Sequence, residues 1–323
     1  MLRFLALLLV VIGPLSEALA SPPPTMKRPV YVAIYVVDIS RVQELEQAIM
    51  ADFLVIARWE RPDLADPAAP EVRTLPLDQV DSPRLLVLNS RKLRKKLEPI
   101  AEVSRTGAVV FRQRYQGTLS APMNLENFPM DRQLFKVEVG SLDNKNRFLI
   151  PDEARSGPMQ PFTVAGWAVA EEEPMLAGDA LAPDGVNKFS TVTAVYAAER
   201  NSVFFAWKLF IPLGLIVLMA YTVFWLDPTV LSTQVSISTS TVFTLIAYNF
   251  ALSSILPQVS YLTRADLYLI GCMLLVFGAL GEAVVTGVLA RDEARVALAR
   301  RIDVLARFVY PGLFAVIVLI AFS

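Results

Sequence analysis

The pattern of apolar residues divides the chain into two halves that meet near Asn201. Before this point the apolar residues come in short runs separated by Pro, Gly and Asp, and after it they form four long segments. Short runs between turn residues are typical of β-strands, whereas a segment of about 20 apolar residues can span a bilayer as a helix. The pattern therefore predicts a β-sandwich followed by a helical membrane domain.

The first half contains several clear strand candidates. They are residues 30–37, 49–59, 108–115, 134–139, 162–169 and 189–197. Turn-forming residues at 61–63 and 183–185 separate some of these runs. The basic stretch at residues 91–96 is interpreted as a solvated loop, the alternative being a nucleic-acid patch.

The second half contains four predicted membrane-spanning helices, at residues 203–225, 235–256, 267–290 and 308–322. The last segment is short, but a helix that begins in the preceding linker can complete the crossing. That linker carries five arginines, which the positive-inside rule assigns to the cytoplasm. They are Arg291, Arg295, Arg300, Arg301 and Arg307. Both termini are then expected on the outer side.

Residues 1–20 are typical of a secretory signal peptide. Arg3 supplies the charge, residues 4–12 the apolar core, and residues 18–20 (Ala-Leu-Ala) the cleavage site. An uncleaved anchor helix is the alternative, although Pro14 interrupts a core that is short for a span. We expect an exported domain at residues 21–200 and a transmembrane domain at residues 201–323.

Composition narrows the function. The chain is 54% hydrophobic and has a mean hydropathy of +0.47, which indicates a membrane protein. Its 30 basic residues nearly balance its 31 acidic ones, so no strong positive charge favours a nucleic-acid partner. It has no histidine and a single cysteine, Cys272. We therefore expect no disulfide within the chain, no metal, no cofactor and no enzyme activity. A response to pH would depend on carboxylates, or on Lys and Tyr.

The second membrane segment differs from the others because hydroxyl side chains dominate residues 232–244. Steps of four and three residues align one face of a helix. That face carries Ser236, Ser240, Phe243, Ala247, Phe250 and Ser254. Around an axis, the hydroxyl rings would partly hydrate an ion and the phenyl rings would form constrictions, as in a gated pore. Alternatively, the hydroxyls bond back to their own helix.

Residues 123–133 read Met-Asn-Leu-Glu-Asn-Phe-Pro-Met-Asp-Arg-Gln. This run resembles the signature loop of the pentameric ligand-gated ion channels, the Cys-loop receptor superfamily. The flanking cysteines of animal receptors are replaced by Ala121 and Phe135, as in the prokaryotic branch. The order of signal peptide, sandwich, signature loop, Pro-containing first helix and Ser/Thr-rich second helix also matches.

The resemblance implies an all-β, immunoglobulin-like extracellular sandwich above an all-α four-helix bundle. It also implies a homopentamer in a bacterial inner membrane, with second helices lining the pore and a small-molecule agonist or protons acting on the sandwich. The linker between the third and fourth helices, about residues 290–307, is too short for the cytoplasmic domain of animal receptors.

By the same resemblance, Asp131 and Arg200 form a charge pair at the boundary between the domains. Glu44 or Glu46 is the expected third member, and Phe128 and Pro129 belong to the same gating loop. An ordinary surface ion pair is the alternative, and it would contribute about 0–1 kcal/mol.

The agonist site is less defined. Phe189, which follows a predicted capping loop at residues 174–186, matches an aromatic ligand contact in related channels, with core packing as the alternative. Arg112 falls on the complementary face. Leu142, in the loop at residues 140–142, is the third predicted ligand contact. This loop and residues 81–84 lack the aromatic residues of the family, which argues against a cage for an organic cation.

Cation selectivity is predicted from the similarity to bacterial members and from Asp227 near the pore mouth. Residues 231–234 carry no charge, so an anion-selective channel is one alternative and a non-conducting membrane-anchored sensor is another. Glu282, a carboxylate within the third helix, is expected to face the interior of the bundle.

Overall fold

The structure is a computed structural model that describes residues 28–141, 147–159, 161–181, 188–253, 256 and 258–322. The predicted signal peptide at residues 1–20 and the predicted turn at residues 183–185 lie outside the described residues. Leu142 and Ser254 also lie outside them.

The first half of the described chain folds into strands. From the N-terminus they are β1 (Arg28–Gln43), β2 (Ala48–Glu60), β3 (Val72–Pro76), β4 (Leu85–Val87), β5 (Ser90–Lys95), β6 (Ile100–Ser104), β7 (Ala108–Ser120), β8 (Arg132–Ser141), β9 (Arg147–Pro151), β10 (Gly157–Pro158), β11 (Trp167–Leu181) and β12 (Lys188–Arg200). Short 3₁₀ turns lie at Pro62–Leu64, Leu77–Val80 and Glu153–Arg155.

These strands form two sheets. The larger has the order β10-β1-β2-β7-β6-β3, with β5 also paired to β7 and β9 to β1, and the smaller has the order β11-β12-β8-β4. Alternate residues of β1 are apolar and buried, namely Val30, Val32, Ile34 and Val36. Because side chains alternate across a strand, each sheet turns one apolar face inward to the shared core.

The second half forms helices α1 (Val203–Trp225), α2 (Leu231–Leu252), α3 (Arg264–Leu289) and α4 (Val296–Phe322). All four are long and apolar enough to cross a membrane. A π-helical turn at Ala206–Phe210 in α1 precedes Pro212, which lacks the N–H that a regular helix would use. A 3₁₀ turn at Glu293–Arg295 leads into α4.

A capping box fixes the start of α3. The Thr263 side chain accepts a hydrogen bond from the Asp266 backbone N–H, and the Asp266 carboxylate accepts one from the Thr263 backbone N–H. Both groups satisfy backbone donors that a helix start leaves free. The first turn of α3 therefore has a defined position beneath the sandwich.

Several sequence-based boundaries were wrong. The strand predicted at residues 162–169 begins only at Trp167, because Gly166 has a φ of +81° and Thr163 is held by hydrogen bonds to Asp38. The basic run predicted as a loop is strand β5, whose side chains are exposed except for half-buried Leu93. The sequence contains no sign that this segment pairs with β7, because an exposed, charged edge strand lacks the alternating apolar pattern of a buried strand.

Two loops are also shorter than predicted. Much of the predicted capping loop belongs to β11, which continues to Leu181. The predicted linker at residues 290–307 is mostly helix, because α4 begins at Val296. The second membrane helix lies four residues earlier than predicted, at Leu231–Leu252.

Candidate functional site

Arg200, the last residue of β12, lies at the centre of a buried charge cluster at the base of the sandwich. Its Nε donates to Asp131 Oδ1 at 2.7 Å, and its Nη1 donates to Glu44 Oε1 at 2.6 Å. The side chains of Arg200 and Asp131 are only 4% and 2% exposed. The structure thus brings together the predicted pair and selects Glu44, in the turn between β1 and β2, as the third member.

Aromatic rings enclose the same guanidinium. Its central carbon lies 4.2 Å from the ring centroid of Trp167, 4.8 Å from that of Phe128 and 5.9 Å from that of Phe205. Ring faces attract cations, and they also keep water away from the ion pairs. This arrangement excludes the interpretation of Arg200 as an ordinary surface ion pair.

The signature loop contacts the membrane domain through backbone hydrogen bonds. The N–H groups of Arg264 and Ala265, at the start of α3, donate to the carbonyls of Glu126 and Phe128 at 3.0 and 3.2 Å. The Phe128 ring also packs edge-on against Phe205 of α1, with centroids 4.8 Å apart. The loop therefore contacts α1 and α3 directly.

Further hydrogen bonds fix the shape of the loop. Gln133 Nε2 donates to Asp131 Oδ2 at 2.7 Å and to the Asn124 carbonyl at 2.6 Å. The Leu125 N–H donates to the hydroxyl of Tyr261 at 2.9 Å. The peptide between Phe128 and Pro129 is cis. The side-chain hydrogen bonds hold the loop in one conformation.

Sequence reasoning missed three contributors to this cluster: Trp167, Phe205 and Tyr261. Trp167 follows a glycine at the start of a strand, and Phe205 lies at the start of α1. These positions look like ordinary packing residues in the sequence. Only the fold brings them to Arg200 or to the signature loop.

The predicted pore face of α2 is exposed within the single chain. Phe243 and Phe250 are 67% and 76% exposed, and Ser236, Ser240 and Ala247 lie on the same exposed face. The opposite face packs inside the bundle and includes Gln234, Ser238, Thr241 and Leu245. Exposed hydroxyl and phenyl side chains therefore share one face of α2.

The α2 hydroxyls also bond to their own helix. Ser240 Oγ donates to the carbonyl of Ser236 at 2.8 Å, and Thr244 Oγ1 donates to that of Ser240 at 2.9 Å. Each hydroxyl keeps free lone pairs after donating its proton. Back-bonding is thus compatible with exposed oxygens that face a pore.

Of the predicted ligand residues, Phe189 lies on β12 of the smaller sheet and Arg112 on β7 of the larger sheet, whereas Leu142 lies outside the described residues. Phe189 is only 6% exposed, and a Cβ built at Gly140 would lie 2.7 Å from its ring, so the ring packs tightly against the neighbouring strand. Arg112 is exposed on β7 and pairs with Glu102 at 2.7 Å. A cleft of about 900 Å³ on this sheet is lined by Tyr31, Arg58 and Val110, among others.

The linker between α1 and α2 carries Asp227. Its carboxylate accepts hydrogen bonds from the backbone N–H and hydroxyl of Thr229, and it lies 2.9 Å from Arg300 Nη2. The hydrogen bond from the Thr229 backbone, and next the hydroxyl and Arg300, lower the pKa of Asp227. The carboxylate is therefore ionised, but a guanidinium lies beside it.

The signature loop contacts the membrane domain beneath the β-sandwich, and that domain has four helices that can cross a membrane. This architecture is typical of membrane receptors with a separate ligand-binding domain. The comparisons agree: residues 19–154 match the neurotransmitter-gated ion-channel ligand binding domain, and residues 209–306 match the neurotransmitter-gated ion-channel transmembrane region. The chain belongs to this family, the pentameric ligand-gated ion channels.

Similar proteins include two described as gamma-aminobutyric acid receptor subunit beta. The one from Caenorhabditis elegans is 28% identical over 184 residues, covering 54% of this chain and 32% of the relative. The one from Lymnaea stagnalis is 27% identical over 186 residues, covering 54% and 36%. The matches span about a third of the length of these relatives.

Proposed function

We propose that this chain is a subunit of a ligand-gated ion channel, assembled as a homopentamer with α2 lining the pore. The observation that carries the proposal is the buried cluster of Arg200, Asp131 and Glu44, which contacts the signature loop on one side and α1 on the other. A conformational change that a ligand causes in the sandwich would be transmitted to the membrane helices through these contacts.

The coupling proposal follows from how tightly the parts are joined. Glu44 lies in a turn of the larger sheet and Asp131 lies in the signature loop. Arg200 ends β12, just before α1 begins at Val203. Because the loop also holds the first residues of α3, displacing the turn would shift α1 and α3 together. Phe128 and Pro129 would transmit that displacement.

The pore proposal depends on the exposed face of α2. In a ring of copies, Ser236 and Ser240 would contact partly hydrated ions, whereas Phe243 and Phe250 would form apolar constrictions that close by dewetting. Ser254, which lies outside the described residues, stays a predicted member of the pore face.

The agonist is proposed to bind between subunits at the sandwich. Phe189, Arg112 and Leu142 stay predicted ligand contacts, with Phe189 needing to move from its packed position. The similar gamma-aminobutyric acid receptor subunits make an amino acid with separated amine and carboxylate groups a candidate agonist.

Protons are the other candidate agonist. Burial raises the pKa of Tyr115, and burial followed by the charge of Glu171 raises that of Tyr196. These phenols stay protonated at neutral and mildly alkaline pH. A response of the sandwich to pH would then depend on its carboxylates or lysines.

Cation selectivity stays a prediction. It depends on Asp227, and the neighbouring Arg300 would offset that charge at the pore mouth. Anion selectivity is the alternative, and a non-conducting sensor would keep the coupling cluster without using the α2 face. The missing cysteines at Ala121 and Phe135 and the short turn before α4 support a prokaryotic type of subunit in a bacterial inner membrane.

The proposal is tested by recording currents from the expressed protein in oocytes or planar bilayers under a salt gradient. The screen covers gamma-aminobutyric acid, other small amines and carboxylates, and pH. Currents that require an agonist or a pH step support the channel. Silence across the screen, with pentamers verified at the surface, favours the non-conducting sensor.

A further inference from the structure

Two carboxyl groups face each other inside the membrane domain. Glu282 of α3 and Asp303 of α4 lie within hydrogen-bonding reach of one another. Asp303 is only 1% exposed. Glu282 faces the bundle interior, as the sequence predicted, but its partner on α4 was not anticipated.

The carboxyl oxygens of this pair have no hydrogen-bond donor among the described residues. All four carboxyl oxygens are buried, and none accepts a hydrogen bond from a described residue. Thr286 lies beside Asp303, but its hydroxyl donates to the Glu282 backbone carbonyl at 3.0 Å. Buried polar atoms are rarely left without a partner, so two buried carboxyl groups side by side favour a hydrogen bond between themselves.

The neighbouring charges do not neutralise the pair. Arg307 and Asp227, which carry opposite charges, both lie near Asp303. Arg307 donates its Nε–H to the Phe224 carbonyl at 2.9 Å and lies over the Trp225 ring, while Arg300 pairs with Asp227. Neither arginine forms an ion pair with Asp303 or Glu282 among the described residues.

We propose that Glu282 and Asp303 share one proton, and that the resulting carboxyl–carboxylate hydrogen bond fastens α4 to α3. The proton supplies the donor for this hydrogen bond and removes the repulsion between two like charges in a site of low dielectric. It is taken from water and returned to water at alkaline pH. The two bare carboxylates would then repel, and α4 would dock less firmly.

This inference does not depend on channel activity, and its test needs none. The full chain is purified into lipid nanodiscs, and infrared spectra are recorded from neutral to alkaline pH. The wild type should show the C=O stretch of a protonated carboxyl group at neutral pH. Glu282→Gln and Asp303→Asn should each lose this band, because an amide N–H then replaces the shared proton.

Asp292→Asn is the matched control, since Asp292 is an exposed carboxylate just before α4, and it should keep the band. Thermal unfolding provides the second measurement: the wild type should lose stability as pH rises, and both amide variants should lose that dependence. If an amide variant fails to assemble, Glu282→Asp retains both acids and should shift the band.

Absence of the band at neutral pH, or its survival in both amide variants, overturns the proposal. Adding Na⁺ or Ca²⁺ distinguishes a shared proton from a bound metal ion at this site. A melting temperature that rises with either cation only when both carboxyls are present would make this a metal site instead.

Discussion

Arg200 shows how much one side chain depends on its surroundings. Its guanidinium holds two carboxylates and lies against three aromatic rings at a position that is almost fully buried. A buried ion pair adds little net stability over apolar packing, but removing one partner leaves an unpaired buried charge. The cluster is therefore better suited to holding the geometry of a boundary than to stabilising the fold.

We expect Arg200→Gln to abolish agonist-evoked current, because the link between the β1–β2 turn and the signature loop is lost. Its stability should fall by about 3–5 kcal/mol, since Asp131 would be buried without a cation. Current and surface pentamer are measured together. Adding Asp131→Asn should recover assembly but not gating.

Arg132→Gln is the control for this change. Arg132 is adjacent to Asp131 but exposed, and it pairs with Glu172 and Glu199. It should gate normally. Normal gating by Arg200→Gln at wild-type surface levels would refute the coupling role.

The Arg61–Asp63 pair is expected to make stability depend on acid pH. The hydrogen bond from Arg61, at 2.8 Å, is the main cause that lowers the pKa of Asp63 to about 2. A lowered folded-state pKa contributes stability above the ordinary value of 3.8 that is lost as pH falls through about 2. Asp63→Asn should therefore show a smaller loss of stability between these two values than the wild type.

The measurement is the unfolding midpoint as a function of pH, together with an NMR titration of the Asp63 carboxyl. Arg61→Gln should move that titration upward toward the ordinary value. A titration midpoint near 4 in the wild type would show that the pair does not form.

At the scale of elements, α2 carries two different faces. One is packed in the bundle through Thr241 and Leu245, and the other presents Phe243 and Phe250 to the outside of the single chain. In a membrane helix an exposed phenyl ring can face lipid, and Phe308 of α4 is just as exposed, so exposure alone does not identify this face. The exposed hydroxyl side chains beside Phe243 and Phe250 are what support the proposed pore.

We expect Phe243→Ala and Phe250→Ala each to alter conductance or to favour the open state, because a smaller ring dewets less readily. Single-channel recording gives both quantities. Phe308→Ala is the matched control, since Phe308 is 77% exposed on α4, away from the proposed pore. Equal effects from all three variants would argue against the pore assignment.

The whole molecule joins two different kinds of core. The sandwich is held by long-range strand pairing, and the membrane domain by helices that pack at close contacts such as Gly287 against Leu231. The signature loop is braced against both. In the proposed channel, a change in the sandwich would pass through this boundary as a movement of packed units.

In the proposed assembly, ion selectivity would depend on charges contributed by every copy around the pore. Arg300→Gln should leave Asp227 uncompensated and shift the reversal potential toward that of the permeant cation, whereas Asp227→Asn should shift it the other way. The salt-gradient reversal potential measures both. Arg301→Gln is the control, since Arg301 is exposed and forms no ion pair among the described residues. If neither test variant shifts the reversal potential, the selectivity determinant lies elsewhere.

The sequence by itself determined the division into sandwich and membrane helices, because hydrophobic period and segment length are local properties. It also identified the signature loop and the Arg200–Asp131 pair through family resemblance. It misjudged β5, because an exposed edge strand has little hydrophobic pattern, and it placed the start of α4 too late, because arginines of the first turns look like a linker.

Only the tertiary structure decided which distant side chains meet. Glu44 rather than Glu46 reaches Arg200 across 156 residues of sequence, Trp167 and Phe205 enclose it, and Asp303 faces Glu282. No local pattern encodes these contacts, because they depend on where whole strands and helices cross. The sequence therefore defined the elements and the family, and the packing of those elements defined the site.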